Sequence, residues 1–247
     1  MTRMPQEHPA PGPPRLVLVH GSRMSAAQWD GYADLLPGVE VVAVDLPGHG
    51  QRRDEEFTWE GALATVRDAV AGAGDRPVVL AGHSLGGYVA LGAAAGDARP
   101  DGLVLVGATG EPRGAGALVY RGFARLALAV GPRRTGRAAS AVMRRLGAPP
   151  ALADQLADGS GYDALPRVWD AVMANARAEL LDRVTCPVTF VNGQYDQMRL
   201  QVGAFLRHAP HARVVVVPGA THLLPLTHPE ALAVELRRAV DAARRAR

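Results

Sequence analysis

The segment with the clearest chemical content is Gly82-His83-Ser84-Leu85-Gly86, followed by Gly87. It falls between an apolar run at 78–81 and a small-residue helical stretch at 85–96. A serine held in a sharp strand-to-helix turn has strained backbone angles, and only small residues fit two positions before and two after it. Such a turn lifts the Ser84 hydroxyl above the sheet edge. It also aims the N–H of Leu85, at a helix N-terminus, toward an oxyanion formed beside the serine.

A serine hydroxyl is a weak nucleophile until a base takes its proton. His222 is the expected base, because it follows the run VVVVPGAT and precedes the C-terminal helical segment. His228 reads as a helix-end residue. His208 and His211 precede the last strand and belong at the opposite sheet edge. His20 and His49 read as structural hydrogen-bonding groups, and the turn is expected to direct the His83 side chain away from the reaction. An imidazole in this role needs a carboxylate to hold its tautomer. Asp196 closes the segment VTFVNGQYD and gives the chain order Ser84, Asp196, His222. Glu111 is the alternative acid, and Asp45 reads as a turn residue. A second oxyanion donor is expected from the loop His20-Gly21-Ser22-Arg23, where Gly21 allows close backbone approach. The Ser22 N–H is the first choice and Arg23 the next, and the Arg23 side chain could meet a substrate carboxylate.

These residues must be positioned by a sheet. The runs 16–20, 39–45, 77–84, 101–108, 187–196 and 212–222 are rich in Val and Leu and lack polar alternation. Strands buried on both faces read this way, and they belong to parallel sheets flanked by helices. The helical patterns 25–36, 58–73, 85–96, 199–208 and 228–246 separate them, so the expected fold class is α/β with an open, mostly parallel, doubly wound sheet. Thr227-His-Pro-Glu230 reads as a capping box opening the last helix. Residues 111–183 break the alternation and read as a helical cap inserted into a core of 15–110 and 184–247; residues 1–14 read as a Pro-rich leader. The cap stretch 112–150 carries eight Arg and no acid, which reads as a solvated helix face or as an anion-attracting lid. A pocket is expected between cap and sheet, lined by Arg23, Tyr120, Phe123, Trp169, Met173 and Met198. Trp29 and Trp59 are expected to pack on the sheet.

Composition narrows the function classes. The chain has 247 residues, ample for a continuous core. All 27 basic residues are Arg against 24 acidic ones, a net +3. No zinc-finger, basic-helix or RNA-binding pattern accompanies that weak excess, so nucleic acid is not an expected partner. No apolar run approaches the roughly 18 residues of a membrane span, and the N-terminus lacks a secretory apolar core. The single cysteine, Cys186, excludes an internal disulfide, and a reducing, cytoplasmic location is the expectation. The sequence does not specify an oligomeric state.

Taken together, LVLVHGS, VVAVDLPGHGQR, VVLAGHSLGG, VNGQYD and GATHLLPLTHPEAL resemble the successive motifs of the α/β-hydrolase superfamily, in its capped, esterase-like branch. The likeness runs from Arg15 to the C-terminus and is weakest over 111–183. It implies Ser84 as nucleophile, Asp196 as acid, His222 as base, backbone donors at Ser22 and Leu85, and no metal or organic cofactor. A serine nucleophile argues against the epoxide hydrolases and haloalkane dehalogenases of this fold, which use Asp. Where the family often has Pro after the acid, this chain has Gln197-Met198-Arg199. The expected activity is hydrolysis of an ester, thioester or lactone of a small-molecule acyl substrate. Alternatives are C–C bond hydrolysis or cofactor-free lyase, oxygenase or cyclase chemistry on the same triad, and small-molecule binding without turnover.

Overall fold

The computed structural model describes residues 12–111, 122, 129–146, 150–158, 162 and 164–247. Each of the six apolar runs contains a strand: β1 (Arg15–Val19), β2 (Glu40–Val44), β3 (Val78–His83), β4 (Gly102–Val106), β5 (Val188–Gly193) and β6 (Arg213–Val217). They form one sheet in the order β2-β1-β3-β4-β5-β6, and every neighbouring pair is parallel. The chain starts near the middle, winds outward to β2, then returns through β3 toward β6. Ser84, Gly107 and Gly193 therefore emerge at the same carboxyl edge, where ligands of such sheets bind.

The helices in chain order are α1 (Tyr32–Leu35), α2 (Trp59–Ala71), α3 (Leu85–Ala95), α4 (Pro132–Arg145), α5 (Pro150–Asp158), α6 (Leu165–Asn175), α7 (Val202–Leu206), α8 (Leu224–Thr227) and α9 (Pro229–Arg245). Alternate strand residues face opposite layers, as the pleat requires. Val17, Val19, Leu80, Leu103 and Leu105 pack with α2, α3 and α6, and Trp59 belongs to that cluster. Leu16, Leu18, Val79, Ala81, Val104 and Val106 pack with Trp29, Tyr32 and α9. The two tryptophans thus cover opposite faces.

Two expectations from helical patterning are corrected. The 25–36 stretch is not one helix: a 3-10 turn at Ala26–Trp29 and the single-turn α1 are separated by Gly31 at φ +83°. The 227–230 capping box does not form. Thr227 ends α8 and its hydroxyl donates to the Leu223 carbonyl at 3.2 Å, so His228 occupies the N-cap of α9 without a side-chain cap bond.

Between β4 and β5 the regular elements among the described residues are helices and a 3-10 turn. Met143 of α4 and Leu152 and Leu156 of α5 form a small cluster with Met24 and Leu226. Met24 lies in the loop after β1 and Leu226 in α8, in the connection after β6, so α4 and α5 rest on the carboxyl edge. α6 instead joins the main core through Leu165, Val168, Trp169 and Val172. Arg133, Arg134, Arg137, Arg144 and Arg145 of α4 are exposed, and Arg144 pairs with Asp154. Residues 1–11 of the leader lie outside the described residues.

Candidate active site

The strand-to-helix turn at Ser84 is under strain, as the sequence requires. Ser84 has φ +51° and ψ −115°, conformations that L-residues rarely adopt. The surrounding glycines show why nothing larger fits. A Cβ on Gly82 would lie 2.2 Å from the Gly86 carbonyl oxygen, and one on Gly86 would lie 2.3 Å from that of Val19. Ser84 is anchored by its N–H to the Val106 carbonyl at 2.9 Å. Leu85 opens α3, so its N–H has no acceptor within the helix.

Three side chains from three loops meet there. Ser84 Oγ lies 3.1 Å from His222 Nε2, and His222 Nδ1 lies 3.0 Å from Asp196 Oδ2. An ionised carboxylate only accepts, so Nδ1–H donates to Asp196 and Nε2 is left to accept from the serine hydroxyl. Asp196 is buried, with its second oxygen accepting the Met198 N–H at 2.9 Å. One carboxylate therefore caps a 3-10 turn and holds the imidazole. Burial opposes its ionisation, but the hydrogen bond and charge of His222 and the Met198 N–H outweigh burial and hold its pKa below the usual aspartate value. Thr109 braces this loop by donating to the Met198 carbonyl at 3.0 Å.

The loop after β1 is closed by the Met24 N–H on the Gly21 carbonyl at 3.2 Å, and Arg23 inside that turn has φ +66°. The Gly21 N–H is engaged by Gln28 Oε1 at 2.9 Å. His20 ties the loop to its neighbour, accepting the Leu46 N–H at 3.1 Å and donating to the Gly21 carbonyl at 2.8 Å. Arg23 reaches Tyr162, with its guanidinium 3.2 Å from the hydroxyl and 5.4 Å from the ring centre.

The other residues weighed in the sequence are placed as follows. Tyr120 and Phe123 lie outside the described residues. Trp169 is buried in the main core cluster and Met173 packs against it. Met198 is buried against the Tyr88 hydroxyl, 4.0 Å from its sulfur. Glu111 offers its N–H to Gln201 at 2.7 Å, while His222 is joined to Asp196. Asp45 accepts the N–H groups of Ala26 and Gln51 at 2.7 and 2.9 Å, a turn role. His208 pairs with Asp182 at 3.0 Å. Burial pushes the Cys186 thiol up to about 11. A cavity of about 620 Å³ lies beside β2, lined by Ser25, Asp30, Asp45, Arg53 and Asp154, and includes none of the three meeting side chains. Among the described residues no group of three or more His, Cys, Asp or Glu could hold a metal ion, and no helix is long and apolar enough to cross a membrane.

At this edge Gly107 carries no signal in the sequence reading, and His83 is placed differently from its expectation. Gly107, with φ +56°, lies against the Asp196–His222 pair. His83 does not turn away from the site: its Nε2 lies 2.9 Å from the His222 carbonyl oxygen.

A profile described as the alpha/beta hydrolase family matches residues 16–236. The chain belongs to the alpha/beta hydrolase family. A pimeloyl-[acyl-carrier protein] methyl ester esterase of Neisseria meningitidis is 32% identical over 256 residues, covering 92% of this chain and 93% of that protein. Lipase LipV of Mycobacterium tuberculosis is 36% identical over 97 residues, covering 39% of this chain and 36% of its own. Among solved structures, a thermophilic esterase from Thermogutta terrifontis aligns with TM-score 0.74 at 22% identity, covering 94% of this chain and 91% of that one. That likeness, at its low identity, is one of fold.

Proposed function

We propose that this alpha/beta hydrolase is a serine esterase that cleaves an acyl ester, thioester or lactone of a small molecule through an acyl-serine. The observation that carries the reading is the hydrogen-bonded row Ser84 Oγ, His222 Nε2 and Nδ1, Asp196 Oδ2, with contacts of 3.1 and 3.0 Å, ending on a serine in a strained elbow. The esterase names of the relatives support it.

His222 takes the Ser84 proton as Oγ attacks the substrate carbonyl. Asp196 holds the Nδ1–H tautomer and stabilises the imidazolium. The N–H groups of Leu85 and Ser22 bind the oxyanion; the first is free of helical bonding and the second sits between the engaged N–H groups of Gly21 and Met24. Collapse expels the alcohol or thiol, protonated by His222. Water activated by the same imidazole then releases the acid. Arg23 and Met198, on the two flanking loops, are the proposed pocket contacts.

Mass spectrometry of the intact protein after a fluorophosphonate probe tests the reading. Wild type is expected to gain one phosphonyl adduct and Ser84→Ala none. No adduct on wild type, or an equal adduct on the variant, would overturn it. A panel of free and carrier-linked acyl methyl esters then orders the substrates.

A further inference from the structure

His83 is buried, and the last residue of β3 shares its strand face with Val79 and Ala81. That face is the one covered by Trp29 and α9, so the imidazole projects toward the loops after β1 and β6 rather than toward α3. Three contacts follow. Nε2 is 2.9 Å from the His222 carbonyl oxygen, and the two imidazole rings are 5.0 Å apart. Nδ1 is 3.3 Å from Gln28 Oε1. A Cβ on Gly21 would lie 2.8 Å from Nδ1, so the ring fills the space beneath Gly21. Gln28 is itself buried and grips the Gly21 N–H at 2.9 Å.

Burial, with His222 alongside, pushes the His83 pKa down to about 3. The ring is therefore neutral and carries one proton. The His222 carbonyl can only accept, so that proton sits on Nε2 and is donated to it. Without that proton the carbonyl would lose its partner in a largely buried setting. Nδ1 is then unprotonated and only packs against Gln28 Oε1. The two side chains are joined through Gly21, whose N–H Gln28 accepts and against which the His83 ring lies. The residue preceding the nucleophile thus touches the backbone of both loops that must meet the nucleophile.

We infer that His83 and Gln28 form one positioning unit, which sets the oxyanion loop at Gly21–Ser22 and the base His222 in register with Ser84. Neither side chain touches the reacting atoms. The assignment rests on the serine-esterase reading, and it adds two residues which that reading does not use. Gly21 is small because the His83 ring lies against it. The geometry of attack and oxyanion capture then depends on an imidazole that burial holds in its neutral form.

The test uses the full chain as wild type, Ser84→Ala, His83→Phe, His83→Gln, Gln28→Leu and the His83→Phe/Gln28→Leu double variant. The readouts are kcat and KM on a p-nitrophenyl ester, the rate of fluorophosphonate labelling, and Tm. Phe keeps the bulk and removes the donor; the Gln amide nitrogen restores a donor near the Nε2 position. His83→Phe is expected to lower kcat and the labelling rate by about 10- to 100-fold, as losing one buried hydrogen bond at a reacting geometry does. KM is expected to stay within about threefold, because substrate contacts are untouched. His83→Gln is expected to recover most of the rate. The double variant is expected to be little slower than the slower single variant, because both side chains serve one loop.

A His83→Phe variant within about twofold of wild type in kcat at unchanged KM would overturn the inference, as would a His83→Gln variant no faster than His83→Phe, or losses that multiply. If His83→Phe does not fold, Gln28→Leu decides. It is expected to lower kcat about tenfold at constant KM, and an unchanged kcat overturns the unit. Failure of the esterase reading is separate and visible in the reference pair, where wild type and Ser84→Ala would behave alike.

Discussion

Gly107 lies directly against the Asp196–His222 pair. A side chain there would begin 2.9 Å from Asp196 Oδ2 and 3.0 Å from His222 Nδ1, on a backbone with φ +56°. The hydrogen bond between the pair therefore has room only because glycine follows β4. Gly107→Ala is expected to lower kcat by on the order of 10², because misplacement of about 1 Å is costly at a reacting centre. The positive φ should cost about 1–2 kcal/mol as well, a Tm drop of roughly 2–8 °C for a domain of this size. Steady-state kinetics beside a thermal scan separate the two effects. Wild-type turnover in Gly107→Ala would mean that the pair does not act in the reaction.

Asp196→Asn should preserve the cap of the 3-10 turn while presenting the wrong group to His222. The amide oxygen can accept the Met198 N–H, leaving NH₂ toward Nδ1, which favours the unproductive tautomer. A loss on the order of 10⁴ in kcat is expected. Stability should also respond to pH. The folded pKa of Asp196 is held below its ordinary value, so the carboxylate stabilises the fold above that ordinary value, and the contribution is lost as pH falls through the lowered one. Tm at pH 7 and near pH 3 should therefore differ less in Asp196→Asn than in wild type.

His20 gives a second acid-sensitive element with the same sign by a different cause. Burial first, then His49, pushes its pKa down to about 3, against the Gly21 carbonyl, which raises it. The neutral ring is favoured in the fold, so its stabilisation is complete above the ordinary histidine pKa near 6.5 and is lost as pH falls toward 3. His83 adds a parallel contribution. Each such group makes stability fall by about 1.4 kcal/mol per pH unit in that window. His20→Asn is expected to be less stable at pH 7 and to lose less stability on acidification to pH 4. Equal slopes in both proteins would contradict the assignment.

Two glycines should respond oppositely to alanine. Gly86→Ala brings a Cβ to 2.3 Å from the Val19 carbonyl oxygen and 2.6 Å from that of His20, both rigid backbone. Loss of soluble protein or of fluorophosphonate labelling is expected. Gly203, in α7, has nothing within 4 Å of a built Cβ and no positive φ. Gly203→Ala is expected to stabilise by about 0.5–1 kcal/mol, seen as a Tm rise at unchanged activity.

Much of the fold was legible because buried parallel strands are written as short unbroken Val/Leu runs, and all six runs hold a strand. The candidate nucleophile, base and acid were legible from their positions after strands: Ser84 after β3, Asp196 after β5, His222 after β6. Helix detail was less so. Patterning over 25–36 could not register that Gly31 would take φ +83° and split the segment. The Thr227-to-Glu230 spacing could not show that the Thr227 hydroxyl would be spent on Leu223.

Local order alone determined the sheet, the strained elbow and which loops carry chemistry, since these follow from periodicity and from the small residues a sharp turn demands. Tertiary structure decided which glycines are indispensable and what His83 does. Gly107 meets residues 89 and 115 positions away, and His83 meets a carbonyl 139 positions away. No local pattern encodes such contacts. They arise only when the parallel register of β3, β4, β5 and β6 brings four strand ends to one edge.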